Sequence, residues 1–182
     1  MARVCVLLAN GFEEIEAVTI IDVLRRAEVD LTTAAVAPGP VRGSHGLVVE
    51  ADRSLADAAK ETWDMVILPG GLPGATNLRD DPKVQDLLRR QAEAGRKIGA
   101  ICAAPIALGK AGLLKGKKAT CYPGFQDQLT GASYEESQVV RDGNIVTSRG
   151  PGTAMEFALA LAADLKGKGV ADSLRKGMLV GA

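Results

Sequence analysis

The chain has few aromatic residues, one histidine, three cysteines and no net charge. Aromatic side chains make up 3% of its 182 residues, too few for the stacking platforms with which single-strand nucleic-acid binders hold bases. The 22 basic side chains are balanced by 22 acidic ones, so no overall field attracts nucleic acid or an anionic membrane. We therefore expect neither a specific nucleic-acid partner nor a membrane.

Long apolar runs are also missing. The longest are Val4–Ala9 and Phe157–Ala163, far below the roughly 18 residues that a membrane span needs. A strand-like run follows Arg3 directly, without the apolar segment and cleavage site of a signal peptide. Three cysteines in this length do not form a disulfide framework, and an odd number suits a reducing compartment. The sequence therefore predicts a cytoplasmic protein.

Short β-branched runs alternate with helical patterns along the chain. The predicted strands are Arg3–Ala9, Asp30–Ala37, Trp63–Pro69, Arg96–Ile101 and Lys118–Tyr122, and the predicted helices are Glu13–Ala27, Pro82–Ala94, Ala103–Ala111 and Thr153–Leu165. Leu47–Ala51 and a hairpin that turns at Asp142-Gly143 are predicted to be antiparallel. The β-α-β order predicts one α/β domain over residues 1–182, a three-layer sandwich with a mostly parallel sheet.

Three helix starts carry capping signals. Asn10 is predicted to cap the first helix, and Asp81 the helix that begins at Pro82. Thr153 begins a capping-box pattern before the last helix. Because ligands bind outside the carboxyl ends of the strands in a parallel sheet, functional residues are expected where strands lead into such helices.

Cys102 lies where a predicted strand meets a helix. Free N–H groups and the dipole at a helix N-terminus favour a thiolate, and small neighbours such as Ala103 permit the tight turn of a nucleophile elbow. The alternative is a buried cysteine packed as a small hydrophobe, and position alone does not decide between the two. Cys5, inside the first strand, and Cys121, at a strand end, are interpreted as packing residues.

Glu16 falls on the apolar side of the first helix, between Val23 and Ala27 on a wheel of about 100° per residue. A carboxylate there is expected to be desolvated, which raises its pKa toward neutrality and suits a proton donor near neutral pH. The alternative is a solvated acid that interacts with the helix dipole. That alternative explains Glu13 and Glu14 better than Glu16.

Glycines and the single histidine complete the set of candidates. Gly70 and Gly71 end the third predicted strand, where glycine lets backbone N–H groups stabilise an oxyanion. The Gly-rich segment Ser148–Thr153 lacks the Lys-Ser/Thr ending of a phosphate loop, so no nucleotide site is predicted. His45 lies far along the chain from Cys102. One histidine and three scattered cysteines do not supply a metal site, so neither a metal nor a cofactor is expected.

Five segments carry a resemblance to a known family: GFEEIEAV, VILPGG, GAICAAP, SRGPGT and VADSLRKGMLV. In this order, over essentially the whole chain, they resemble the ThiJ/PfpI superfamily, specifically the branch of the bacterial YajL protein and the human Parkinson-disease protein deglycase. The resemblance implies a flavodoxin-like fold, a homodimer and an oxidation-sensitive cysteine. By position it implies that Cys102 is this cysteine, that Glu16 is the protonated glutamate bonded to it, and that Gly70, Gly71 and Ala103 surround the oxyanion-binding backbone.

The chain departs from the family pattern in two places. Peptidase-like relatives have a histidine directly after the cysteine, where this chain has Ala103, so peptidase activity is not expected. A histidine that precedes a proline in relatives is Tyr122 here, and its unperturbed pKa of about 10 makes it a poor base. Any mechanism must therefore rest on Cys102 and Glu16. The auxiliary candidates are Tyr122, His45 and Arg26, the last on a helix that forms the dimer interface in relatives.

Two functions from different classes are compatible with this site. The resemblance implies a cofactor-independent enzyme that acts on small dicarbonyls such as methylglyoxal and on glycated proteins, in which Cys102 attacks the aldehyde and Glu16 moves a proton. The alternative is a redox-sensing stress chaperone in which Cys102 is oxidised to a sulfinate held by protonated Glu16. Rapid lactate formation from methylglyoxal separates the two.

Two physical expectations follow. The apolar arc of the first helix is wider than one sheet contact needs, which predicts a homodimer built partly on that helix. Because it alone lies at a helix N-terminus, Cys102 is expected to have the lowest thiol pKa of the three cysteines and to be oxidised first.

Overall fold

The structure, a computed structural model, describes residues 1–181. Its strands are β1 (Arg3–Leu8), β2 (Asp30–Ala35), β3 (Val41–Arg42), β4 (Val48–Val49), β5 (Arg53–Ser54), β6 (Met65–Leu68), β7 (Lys97–Ile101), β8 (Lys118–Ala119), β9 (Ser133–Tyr134), β10 (Val139–Asp142) and β11 (Ile145–Ser148). Its helices are α1 (Glu14–Arg26), α2 (Leu55–Ala58), α3 (Gly74–Asp80), α4 (Pro82–Glu93), α5 (Pro105–Lys110), α6 (Ala154–Lys166) and α7 (Lys168–Gly177). None of the helices within residues 1–181 is long and apolar enough to cross a membrane. The domain predicted from the sequence ends at Ala182, which lies outside the described residues.

Seven strands form the central sheet, in the order β10-β11-β7-β6-β1-β2-β5. Neighbouring strands are parallel except in the antiparallel hairpin of β10 and β11. Successive residues of β1 divide between two apolar clusters: Val4 and Val6 pack with α1 and α6, whereas Cys5 and Leu7 pack with α4 and α5. The sheet is therefore covered on both faces, as its continuous apolar strands require. The predicted three-layer flavodoxin-like sandwich is confirmed.

One predicted strand does not join this sheet. Of the segment Lys118–Tyr122, only β8 is extended, and it pairs with β9 in a separate small sheet. The place beside β7 belongs to β11, so the backbone N–H of Thr120 bonds the side chain of Thr147 at 2.9 Å instead of a strand. The predicted hairpin at Asp142-Gly143 is confirmed. Within the predicted antiparallel segment Leu47–Ala51, the shorter strand β4 forms and pairs antiparallel with β3.

Of the three predicted helix caps, one is confirmed. Asp81 caps α4, its side chain accepting hydrogen bonds from the first N–H groups of the helix. Asn10 does not cap α1, because its side chain accepts a hydrogen bond from the N–H of Arg42 at 2.9 Å; Glu13 takes that position. The hydroxyl of Thr153 accepts a hydrogen bond from the N–H of Gly150 and donates one to the carbonyl of Gly150. It does not cap α6, so the predicted capping box there is wrong.

The wide apolar arc of α1 packs against other parts of the same chain. It packs against the sheet and α6, which leaves its buried members at most 2% exposed. Because α6 supplies a second surface within the chain, the width of that arc does not by itself require a dimer, and the homodimer stays a prediction. The apolar residues of α1 that remain exposed are Ile15 (57%) and Val18 (47%).

Candidate active site

The ends of β6 and β7 meet the first turn of α1 at one edge of the sheet. Cys102 follows β7 directly, and Gly70 and Gly71 lie just beyond β6. The φ angle of Cys102 is +64°, a left-handed conformation that costs a non-glycine residue on the order of 1–3 kcal/mol. This is the sharp turn expected of a nucleophile elbow, and it places Cys102 beside the carboxyl group of Glu16.

Glu16 is completely buried. Its Oε2 accepts a hydrogen bond from the N–H of Gly70 at 2.7 Å, and its Oε1 is buried without a hydrogen-bond partner among the described residues. Burial raises the pKa of Glu16 to about 7; the N–H of Gly70 and then the Cys102 thiol oppose this rise, and the charge of Glu13 adds to it least. The burial and raised pKa predicted for Glu16 are thus confirmed, and the group can give or take a proton near neutral pH.

No side chain fits at Gly70. A Cβ there would lie 2.5 Å from the Cβ of Cys102 and 2.8 Å from Oε2 of Glu16, well inside contact distance. Glycine therefore lets the cysteine and the glutamate approach each other across the strand end. The same closeness commits the Gly70 N–H to Glu16. The prediction that Gly70 helps to bind an oxyanion is consequently wrong.

Two backbone N–H groups, those of Gly71 and Ala103, lie near the sulfur of Cys102 and lower its pKa. They lie where negative charge forms: on the sulfur when the thiol ionises, and on the oxygen of a carbonyl group bonded to the sulfur when that group is attacked. Gly71 and Ala103, the other two predicted oxyanion residues, therefore face the sulfur of Cys102. Ala103 contributes through its backbone, so the missing histidine at that position does not affect this contact.

The thiol pKa values do not support the prediction that Cys102 has the lowest one. Burial, followed by the charge and hydrogen bond of Glu16, raises the pKa of Cys102 to about 12, whereas the pKa of Cys121 rises to about 11. Helix α5 begins only at Pro105, too late for its dipole to reach the sulfur strongly. The negative charge of Glu16 is one cause of the raised pKa of Cys102, so protonation of Glu16 removes that contribution. The two groups therefore titrate as a coupled pair.

Tyr122 contacts Cys102 through its backbone, the N–H donating to the Cys102 carbonyl at 2.8 Å. Its side chain is 46% exposed and lies over Gly150, where a Cβ would come within 3.1 Å of the ring. Among residues 1–181, no hydrogen bond joins the Tyr122 hydroxyl to Cys102. Tyr122 therefore neighbours the backbone of Cys102 and is not a proton partner of its thiol.

The other two auxiliary candidates do not join the site within one chain. Arg26 pairs with Asp22 at 2.6 Å on the surface of α1. The Nδ1 of His45 lies 3.0 Å from Oε2 of Glu14, and this hydrogen bond is the main cause that raises the pKa of His45. In the described part of the chain, both side chains have acidic partners away from Cys102.

Glu13, Glu14 and His45 bring their ligand atoms within 4.8 Å of one another. This grouping was not foreseen, because the residues are separated in sequence and the fold joins them. The backbone N–H of His45 holds Glu14 at 2.7 Å. The group lies at the N-terminus of α1, where the positive end of the helix dipole opposes a cation. The expectation that the protein binds no metal stays a prediction.

Arg149 is a residue at this edge that the sequence analysis missed. It follows β11 directly, and the carbonyl of the preceding Ser148 accepts the N–H of Cys102 at 3.0 Å. Its Nε is buried and has no hydrogen-bond partner among the described residues. The available signal was the arginine of SRGPGT, placed immediately after a strand end.

The chain is similar to known proteins over nearly its whole length. Protein dj-1beta of Drosophila melanogaster is 46% identical over 178 residues, which cover 96% of this chain and 95% of that protein. Its crystal structure matches with a TM-score of 0.96, covering 100% of this chain and 99% of that one. The structure of oxidized Toxoplasma gondii DJ-1 also reaches a TM-score of 0.96, at 40% identity and with 100% of both chains covered.

A third relative has a name that states an activity. The glutathione-independent glyoxalase DJR-1.2 of Caenorhabditis elegans is 37% identical over 166 residues, which cover 90% of this chain and 88% of that protein. The profile of the DJ-1/PfpI family matches residues 2–164. With the motifs, the fold and these relatives in agreement, the chain belongs to the DJ-1/PfpI family.

Proposed function

We propose that the protein is a cofactor-independent cysteine enzyme that converts reactive dicarbonyls such as methylglyoxal to 2-hydroxy acids and repairs early glycation adducts on proteins. The observation that supports it most is the buried pair of Cys102 and Glu16, with the N–H groups of Gly71 and Ala103 on the sulfur. The relative named a glutathione-independent glyoxalase supports the substrate class.

The reaction balances without a cofactor. Glu16 accepts the thiol proton while the sulfur of Cys102 bonds to the aldehyde carbon, and the hemithioacetal oxygen lies near the two backbone N–H groups. Glu16 then moves a proton from that carbon to the neighbouring one, which leaves a thioester on Cys102 and a hydroxyl group beside it. Water hydrolyses the thioester. Methylglyoxal and water thus give lactate, and the thiol is regenerated.

Lactate formation from methylglyoxal, without added glutathione, tests this mechanism. We expect the purified protein to form lactate far faster than an equal concentration of free thiol, and Cys102→Ser to fall to the uncatalysed rate. Cys121→Ser is the matched control, because this thiol is buried without an acidic partner and should not be needed. Lactate formation by Cys102→Ser at the rate of the unmodified protein would contradict the proposal.

A redox-sensing stress chaperone is the second candidate function. It is favoured by the same contact between Glu16 and Cys102, because a protonated carboxyl group can donate a hydrogen bond to a sulfinate oxygen. One structural relative is described in an oxidized state. In this case lactate formation would not exceed that of free thiol, and protection of a client protein from aggregation would follow the oxidation of Cys102.

We also infer that the protein is a homodimer. Ile15 and Val18 of α1 are exposed, as are Leu47 and Val48 at 46% and 47%, and the N–H of Leu47 donates to Glu14 at the start of α1 at 3.3 Å. A groove of about 370 Å³ adjoins Val18, and a twofold contact would cover these apolar side chains. Light scattering at micromolar concentration should give twice the mass of one chain. The mass of a single chain would refute the inference.

A further inference from the structure

The turn between β3 and β4, residues 43–47, lies against the start of α1, and we call it the brace loop. The N–H of Ser44 in this loop donates to the carbonyl of Phe12 at 2.8 Å. Just before the loop, the carbonyl of Arg42 accepts the N–H of Gly11 at 2.7 Å. The brace loop is therefore fixed to the segment that leads into α1.

The carboxylate of Glu14 holds the brace loop. Its Oε1 accepts hydrogen bonds from the N–H groups of His45 at 2.7 Å and of Leu47 at 3.3 Å. Its Oε2 accepts one from the hydroxyl of Ser44 at 3.2 Å and lies 3.0 Å from Nδ1 of His45. Burial acts to raise the pKa of Glu14, but the hydrogen bonds, that of the His45 side chain above all, lower it to about 2. The carboxylate is therefore charged throughout the range in which His45 titrates.

No side chain fits at Gly43 while Glu14 keeps its place. A Cβ there would lie 2.3 Å from Oε1 of Glu14, so alanine would push the carboxylate away from its hydrogen bonds. The φ angle of Gly43 lies outside the left-handed region, which means that space alone requires glycine. The missing side chain lets the brace loop close onto Glu14.

The segment under the brace loop also contacts the glycine turn after β6. The N–H of Glu13 donates to the carbonyl of Gly70 at 2.9 Å, and the N–H of Gly74 donates to the carbonyl of Gly11 at 3.2 Å. The N–H of Gly70 in turn donates to Oε2 of Glu16 at 2.7 Å. One layer of backbone therefore connects the brace loop to the reactive pair.

His45 is the titrating group of the brace loop. Its Nδ1 lies 3.0 Å from Oε2 of Glu14 and 3.5 Å from Oε2 of Glu13. On its own loop the charged neighbour is Arg42, whose Nη1 reaches the carbonyl of Gly46 at 3.4 Å. The hydrogen bond to Glu14, followed by the charges of Glu13 and Glu14, raises the pKa of His45. Closure of the loop is therefore stabilised below that pKa and weakened as pH rises through it.

We propose that the brace loop is a pH-sensitive device in which protonated His45 and Glu14 fasten the loop over the start of α1 and so hold the glycine turn beside Cys102 in place. His45 and Glu14 are positioning residues, since they reach Glu16 only through the backbone between them. The device goes beyond the proposed function and does not depend on it, because it concerns the mobility of the loop and not turnover.

Titration of His45 tests the contact with Glu14, in a buffer that contains a chelator so that no bound cation contributes. His45 is the only histidine of the chain, so its ring signal in proton NMR gives its pKa directly. We expect this pKa to fall in Glu14→Gln, which removes the charge, and in Gly43→Ala, which displaces the carboxylate without changing any charge. Gly152→Ala, whose Cβ would meet nothing within 4 Å, is the matched control. An unchanged pKa in either test variant overturns the inference, and if one of them does not fold the other decides.

Amide hydrogen exchange tests whether the brace loop holds the glycine turn. The reporters are the N–H of Leu47, which bonds Glu14, and the N–H of Glu13, which bonds Gly70. As pH rises from about 5.5 to about 8.5, across the titration of His45, the protection of both amides should fall about two- to fivefold more in the unmodified protein than in His45→Gln, as an exposed charge pair predicts. An equal fall in the two proteins, or a difference at Leu47 alone, overturns the inference. No dicarbonyl is used, so failure of this device and failure of the proposed function are distinguishable.

Discussion

Cys102 and Cys121 lie at the same edge of the sheet but on opposite faces of it, in different apolar clusters. Cys121 is covered by apolar residues, and the nearby charge of Arg149 is the first of the effects that lower its pKa against the larger effect of burial. Cys102 sits in a left-handed turn against the carboxyl group of Glu16. Burial raises the pKa of both thiols, so the thiol pKa alone does not select Cys102. The comparison teaches that a nearby proton acceptor, and not a low pKa or a strand-end position, distinguishes the candidate nucleophile.

The largest expected effect comes from removing that acceptor. Glu16→Gln keeps the volume and a hydrogen-bond donor but cannot exchange a proton, so dicarbonyl turnover should fall roughly 10²–10⁴-fold. Steady-state lactate production measures it, with circular dichroism as the control for folding and Cys121→Ser as the matched variant. Unchanged turnover in a folded Glu16→Gln protein would show that another group is the acid.

The stability of the protein should depend on pH through Glu16. Its pKa rises from 4.5 to about 7 on folding, so between these values the folded state binds more protons than the unfolded state. The free energy of unfolding then decreases as pH rises, by about 3 kcal/mol in total. Urea titrations at pH 4 to 8 should show this loss for the unmodified protein relative to Glu16→Gln. Parallel curves would mean that Glu16 titrates normally.

Mild peroxide should oxidise Cys102 before Cys121, because the two thiols differ in exposure and in access to a proton acceptor. Cys102 is 9% exposed and Cys121 is 0% exposed, and only Cys102 has a carboxyl group at its sulfur to take the proton. Mass spectrometry of tryptic peptides should find added oxygen on Cys102 first. Earlier oxidation of Cys121 would move the reactive site to the other face of the sheet.

The smallest effect concerns the backbone. At Cys102, with its positive φ, glycine should be more stable than alanine by about 1 kcal/mol. At Cys121, which has no such conformation, alanine should be the more stable replacement. Denaturant midpoints of the four variants give both differences. If the same residue, glycine or alanine, is the more stable replacement at both positions, the left-handed turn relaxes without cost.

Local patterns predicted the elements that are buried or strongly periodic. The apolar runs of β1 and β6 gave the parallel sheet, and the helical wheel gave the burial of Glu16. The helices α2 and α3 are too short for periodicity, and α7 presents mostly polar residues to solvent. Each of these three helices is positioned by contacts with the rest of the chain, which a local pattern does not contain.

The properties of the site that were not predicted depend on residues far apart in sequence. Glu16 meets the N–H of Gly70 across a separation of 54 positions, so the use of that N–H could not be foreseen. The pKa of Cys102 depends on the burial that the fold produces, and the unused donors of Arg149 depend on which acids the fold keeps away from it.

Every substitution at Gly70 adds at least one carbon between Cys102 and Glu16, where a Cβ has no room. No single mutation at this position therefore preserves the pair, and the route to a different substrate range cannot pass through it. The exposed side chain of Tyr122 has no such restriction. A library for directed evolution belongs at Tyr122, because changes to that exposed side chain leave the spacing of Cys102 and Glu16 intact.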